Sequence, residues 1–273
     1  MSGNNLYIED AWDAYKMEFR TILKLSGLVT AILVAFLALL WVGISSQWGI
    51  VELATLAAIA GIVLVVSVSA AQIYVYEDLM GEEKDLGTTV TRALVSIVAQ
   101  IIYVIAMLAI PVLLITFGAL AGTHNMVLGV ILIMIGLVAM VGIVLVYGVK
   151  LMYAPYLAAT GAGVSEILTK TYRAKFSTAI KAALGAIIAK IVADIVVTIV
   201  LLPLAIIKDI TRPTVDINTT GYAAVVNALQ QTVLSPWSII YNILAVFANL
   251  AVSLPITWMF PFVSAEDAWD SEA

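Results

Sequence analysis

The sequence predicts an all-α, polytopic membrane protein whose six transmembrane helices form three hairpins in a parallel repeat. Three observations predict it. Hydrophobic residues make up 63% of the chain and charged residues only 11%, against roughly 25% charged in soluble domains. Too few polar side chains exist to cover a water-soluble surface. The apolar runs are uninterrupted, are long enough to cross a bilayer and do not alternate, as a membrane β-barrel would require. A polar-to-apolar pattern also recurs at one constant offset: Glu9, Tyr15, Lys16, Phe19, Thr21 and Lys24 match Glu166, Tyr172, Arg173, Phe176, Thr178 and Lys181.

Residues 6–25 open the chain as an amphipathic segment. Leu6, Ile8, Trp12, Tyr15, Phe19, Ile22 and Leu23 fall near one helical stripe, with Glu9, Asp10, Asp13, Lys16 and Glu18 elsewhere. This is the pattern of an interfacial helix, the alternative being a short helix packed on the bundle. Its acidic character, and the lack of a small-residue cleavage site after a short apolar core, argue against a secretory signal peptide. The spans follow at about 26–44, 51–75, 93–118, 126–149, 182–207 and 237–263, each near or above the roughly 20 residues that cross ~30 Å of hydrocarbon. Turn residues separate them: Ser45-Ser46-Gln47 with Gly49, Gly81 to Gly87, Gly118 to Asn125, Gly161-Ala162-Gly163 and Ser235-Pro236. The stretch 208–234 is the longest outer loop. Tyr222, Val225, Val226, Leu229 and Val233 lie on one stripe there, which predicts a short surface helix from near Thr220. The whole chain, 1–273, reads as one integral membrane domain.

Lys and Arg set the orientation. Lys16, Arg20, Lys24, Lys84, Arg92, Lys150, Lys170, Arg173, Lys175 and Lys181 fall on one side of the predicted spans. Lys208 and Arg212 fall on the other. The bias places both termini in the cytoplasm and the protein in the cell membrane. Trp41 and Trp48 on the outer side, and Tyr74, Tyr76, Tyr147, Tyr153 and Tyr156 on the inner, read as interfacial aromatics.

Each repeat unit holds two spans. The exits of the even spans also correspond: Tyr153-Ala154-Pro155-Tyr156-Leu157 with Ala159 against Met259-Phe260-Pro261-Phe262-Val263 with Ala265, and more weakly Tyr74-Val75-Tyr76-Glu77. Two-span units keep one orientation, so the repeats are expected to be parallel, about an axis along the membrane normal.

The run APYLAATGAGVSEILTKTYRAKFSTAIKAALG resembles the central signature of a broad group of six-helix prokaryotic membrane domains. That group includes the membrane portion fused to some glycerophosphodiester phosphodiesterases. In it a span ends in an apolar-Pro-apolar motif, followed by a small-residue turn and a helix leading to the next span. Ser165-Glu166-Ile167-Leu168 take the helix-start positions, and Thr171 stands where the family often has serine. The resemblance implies a six-helix layout and carries no catalytic residue onto this chain.

Little in the sequence carries chemistry. The chain has no cysteine and a single histidine, His124, so no thiolate or histidine cluster for a metal is expected and His124 reads as a loop residue. Metalloprotease, phosphate-loop, serine-elbow and dinucleotide motifs are absent. Glu82, Glu83 and Asp85 with Lys84 read as a solvated turn. No catalytic residue, cofactor or metal is expected, nor is nucleic acid as a partner. Asn218 begins an N-glycosylation sequon, Asn218-Thr219-Thr220, on the predicted outer side.

The informative pair is Lys190 and Asp194, four residues apart on one face of span five. A charge in hydrocarbon is costly, so such residues pair, face a bundle interior or mark a pathway for an ion or polar substrate. A structural pair, with Lys190 reaching toward the interface, is the alternative. Gln72, Gln100, Asn242 and Asn249 read as interhelical hydrogen-bonding groups. Gly185, Ala189 and Ala193, and likewise Gly129, Gly136, Gly142 and Gly148, read as surfaces for close helix approach. Pro111 and Pro203 are expected to kink spans three and five. Three function classes stay open as expectations: a non-enzymatic scaffold or accessory subunit of a membrane complex, a small transporter or channel using Lys190 and Asp194, and, last because acid, base and nucleophile candidates are nearly absent, an intramembrane enzyme. The partners expected are the lipid bilayer and either other membrane subunits or further copies of the chain.

Overall fold

A computed structural model describes residues 6–82, 85–211 and 235–269. Of these, 91% are helical and none lies in a strand. Helix α1 spans Ile8–Ser45, α2 Ile50–Met80, α3 Leu86–Gly122 and α4 Met126–Tyr147. A 3-10 segment, Gly148–Tyr153, leads into the short α5, Ala154–Ala159. Then come α6 (Val164–Arg173), α7 (Phe176–Ile210), α8 (Pro236–Ala248), a π-helical segment (Asn249–Ser253), α9 (Leu254–Val263) and α10 (Ala265–Trp269). Six helical stretches are long and apolar enough to cross a membrane, so the chain is a multi-pass membrane protein. Asn218 and the expected surface helix after Thr220 lie outside the described residues.

The turns fall where polar and glycine residues permit them. Gln47 and Gly161 take left-handed backbone, at φ 57 and φ 84. Asp85 caps α3 by accepting from the Thr88 N–H and hydroxyl, at 2.9 and 2.8 Å. Asn125 caps α4 by accepting from the Val127 and Leu128 N–H groups. Ser235 caps α8 ahead of Pro236.

The helices exceed the predicted spans in several places. At 1.5 Å per residue the 38 residues of α1 extend about 57 Å, far beyond the ~30 Å of hydrocarbon. Residues 6–25 therefore do not form a separate element; Ile8 to Ser45 is one helix. The predicted apolar stripe also divides. Tyr15 and Ile22 are buried alongside Ala11, Ala14 and Val29, whereas Ile8, Trp12, Phe19 and Leu23 are exposed. Ala11 and Ala14 join Tyr15 and Ile22 on its packed face, and Trp12 and Phe19 lie off it. The matching segment later in the chain breaks instead. α6 ends at Ala174, whose ψ of 138 is extended, and the Lys175 N–H then donates to the Ala268 carbonyl at 3.1 Å. Helix α10 occupies this break: Trp269 Nε1 donates to the Lys170 carbonyl at 3.1 Å, and Tyr153, Ala174, Ala179 and Ala268 form one buried cluster.

Pro111 and Pro203 lie inside continuous helices. Of the span-four glycines, only Gly129 and Gly136 meet α3. A Cβ built on Gly129 would lie 2.5 Å from Gly122 Cα, and one on Gly136 would lie 3.1 Å from the Pro111 carbonyl oxygen, whereas nothing lies within 4 Å at Gly142. The two working glycines are seven residues apart, two helical turns, and so recur on the face turned to α3. Gly142 falls on another face. Gln72 and Gln100 bond within their own helices, to Tyr76 Oη at 2.9 Å and Ser96 Oγ at 3.1 Å, contrary to the interhelical role expected. Four-residue spacing places both partners on one helix face, within reach of the amide.

By its contacts the chain divides into two compact units. One comprises residues up to Glu18, Val65–Ala186 and the chain from Trp258; the other comprises Phe19–Leu64 and Ile187–Thr257. The first unit gathers the exits of the even spans. Tyr76 stacks on Phe262 at 5.9 Å, Tyr156 meets Phe262 edge-on at 6.0 Å, and Tyr76 meets Tyr156 edge-on at 6.1 Å. Tyr76 Oη donates to the Trp258 carbonyl at 2.5 Å. Next to Tyr76, Glu77 is 1% exposed and is held by the Thr89 hydroxyl at 2.6 Å and by Arg92 at 2.7 Å. Arg92 also binds Glu82 at 2.9 Å. A buried carboxylate is tolerated when paired and hydrogen-bonded in this way.

Candidate functional site

The second unit holds Lys190 and Asp194. Both sit on α7, one turn apart, with Lys190 Nζ 2.6 Å from Asp194 Oδ2. Their depth follows from helix geometry. Asp194 is about 20 Å along the axis from Lys181 and about 21 Å from Lys208. Lys208 Nζ lies 4.4 Å from the centre of the Tyr241 ring, a cation–π contact of the kind found at membrane interfaces. Asp194 therefore lies midway between the flanking cations, where hydrocarbon offers it no hydrogen bond.

The pair does not face an enclosed interior. Each side chain is 41% exposed, and Ile187, Ile191, Ile195 and Ile199 around it are all exposed. Asp194 lines an open groove of about 320 Å³ with Ile191, Ile195, Thr198 and Ile199. The Thr198 hydroxyl donates to the Asp194 carbonyl at 2.7 Å and so adds no donor to the carboxylate. Ala193, on the opposite side, is buried. The expected small-residue ridge is thus used in part. Gly185 belongs to the first unit, where a Cβ would meet the Leu6 carbonyl and the Phe260 ring.

Ser253 lies beside the Asp194 carboxylate. It is fully buried, and its hydroxyl interacts with that carboxylate without reaching full hydrogen-bond geometry. It belongs to the π-helical segment, whose origin is visible in the chain. Pro255 has no N–H to return to the preceding turn. The Leu254 N–H reaches back five residues to the Asn249 carbonyl. The Leu250 carbonyl, five residues before Pro255, accepts instead from the Ser26 hydroxyl at 2.7 Å. Such π segments frequently accompany functional sites.

Of the polar residues singled out in the sequence, Lys190 and Asp194 meet each other. Asn249 opens the π segment. Asn242 lines a separate groove of about 590 Å³ among Leu33, Leu37, Trp41, Ile243 and Val246, which holds no charged group. His124 lies in the turn before α4, and among the described residues no acidic or histidine cluster could hold a metal. Sequence reasoning missed Ser253 and the Glu77–Arg92 pair. Pro255 late in span six, and opposite charges at the joined ends of spans two and three, were the available signals.

Comparison with family models, with curated proteins and with solved structures finds no match to this chain.

Proposed function

We propose that this protein is a non-enzymatic scaffold or accessory subunit of a complex in the cell membrane, with both termini in the cytoplasm. The observation that carries the reading is the exposed ion pair at mid-span. Lys190 pairs with Asp194, with Ser253 as the further polar group beside the carboxylate, and the isoleucine face around them offers a partner helix a dry surface with one polar lock. Intramembrane charges are characteristically covered by protein, and polar side chains join transmembrane helices. The covering helix comes from another membrane protein or from a second copy of this chain. The three-hairpin repeat is part of the proposal, supported by the meeting of Tyr76, Tyr156 and Phe262, one from each even-span exit. So are interfacial roles for the start of α1 and for α6, and membership of the six-helix prokaryotic group.

A second reading has its own observation. The Ser253 hydroxyl beside Asp194, in a π segment, suits a cation or proton site in a small transporter.

One experiment separates the two. The protein is extracted gently from its native membrane, and Asp194→Asn is compared with wild type. The subunit reading expects a stoichiometric companion or a homo-oligomer that the substitution weakens. A monomeric wild type overturns it. An intact assembly that loses ion flux on substitution favours the transporter.

A further inference from the structure

Lys150 is the other cation in an unusual setting. It is 8% exposed, and no carboxylate among the described residues pairs with it. Its ammonium donates to the Tyr172 carbonyl at 2.8 Å and lies 5.5 and 5.8 Å from the Tyr147 and Tyr172 ring centres. Those rings stack nearly parallel at 5.7 Å. The carbonyl belongs to the last turn of α6, so Lys150 also caps that helix. This uses one of its three donors. A second observation points to a ligand. The Tyr103 hydroxyl is buried and has no hydrogen-bond partner. A buried polar group of this kind is normally satisfied by protein, water or ligand.

Depth identifies the ligand. The 22 residues of α4 extend about 33 Å, the thickness of the hydrocarbon core, and Lys150 follows three residues later. Tyr103 is level with it across the α3–α4 hairpin, since Gly122 faces Gly129 and Ile115 faces Gly136 in antiparallel register. A cation and phenol donors at headgroup depth suit a phosphodiester oxygen, and the 59% exposed Tyr172 leaves an open side.

We propose that Lys150 with Tyr103, Tyr147 and Tyr172 binds the phosphate of an anionic phospholipid headgroup. The site shares no residue with Lys190 and Asp194 and is independent of the assembly reading.

The test uses the full chain in neutral detergent. Its thermal midpoint is followed with added phosphatidylglycerol, phosphatidylcholine or inorganic phosphate. Phosphatidylglycerol is expected to raise Tm by several degrees more than phosphatidylcholine, and Lys150→Met and Tyr103→Phe each to remove most of that difference. The readout is the difference between lipids, so a general loss of stability from uncapping α6 does not mimic it. Should Lys150→Met fail to fold, Tyr103→Phe, which removes one oxygen, decides alone. No difference between the lipids in wild type, or the same difference in the variants, overturns the proposal. A rise given by phosphate and not by phosphatidylglycerol, and abolished by Lys150→Met, assigns the site to a soluble phosphate and overturns the lipid source.

Discussion

Tyr76 stacks on Phe262 with ring centres 5.9 Å apart and planes 19° from parallel, joining the end of α2 to the end of α9 inside one compact unit. Tyr156 closes the group edge-on to both rings. Truncating Phe262 removes two aromatic contacts at once. Phe262→Ala is expected to cost about 3 kcal/mol, at the lower end for a buried aromatic because Phe262 keeps some exposure. Tyr76→Phe leaves the stack intact and removes the bond to the Trp258 carbonyl together with the one accepted from Gln72, for about 1–2 kcal/mol. Unfolding in mixed micelles measures both. Equal costs for the two would contradict a role for the ring stack.

Gly129 and Gly142 make a matched pair of substitutions. Alanine at Gly129 would push into Gly122 backbone, which has no side chain to rotate away, whereas alanine at Gly142 meets open space. Gly129→Ala is expected to destabilise by about 2 kcal/mol. Gly142→Ala is expected to be neutral or slightly stabilising, by the higher helix propensity of alanine. A thermal melt of each variant checks the order.

The Ser26 hydroxyl reaches both the Ile22 carbonyl, at 2.8 Å, and the Leu250 carbonyl, at 2.7 Å. Ser26→Ala leaves the Leu250 carbonyl without its donor in a buried, lipid-bounded place, at a cost of about 1–3 kcal/mol. Pro255→Ala supplies the missing N–H and is expected to suppress this loss in the double variant. Additive effects would break the proposed link between Pro255 and Ser26.

Asp85, outside the spans, supplies a pH signature. The Thr88 hydroxyl, and then the Thr88 N–H, favour its ionised form and hold its carboxyl below the ordinary value of 3.8. A folded pKa below the unfolded one stabilises the native state in full above the ordinary value, and the benefit disappears as pH falls through the lowered one. The thermal midpoint of wild type should therefore fall more steeply than that of Asp85→Asn between pH 5 and the acid limit, with no difference in slope near neutrality. Parallel slopes throughout that range would remove Asp85 as a source.

The sequence by itself determined the class and the count of spans. Both rest on a local property: each apolar run must close its own backbone hydrogen bonds in lipid, which makes it a helix whatever surrounds it. It also placed Lys190 beside Asp194, because four residues is one helical turn. The tertiary structure decided which faces are used. Ala11 and Ala14, rather than Trp12 and Phe19, pack α1, and only two of the four span-four glycines meet α3. In hydrocarbon nearly every residue is apolar, so hydrophobicity no longer separates a packed face from an exposed one; side-chain size and mutual fit do. The same reason hid the α6–α7 break, which the Ala268 carbonyl and Trp269 hold from the far end of the chain. It also hid the surroundings of the pair: only the folded chain brings Ser253 against Asp194 and leaves both charges on an open isoleucine face.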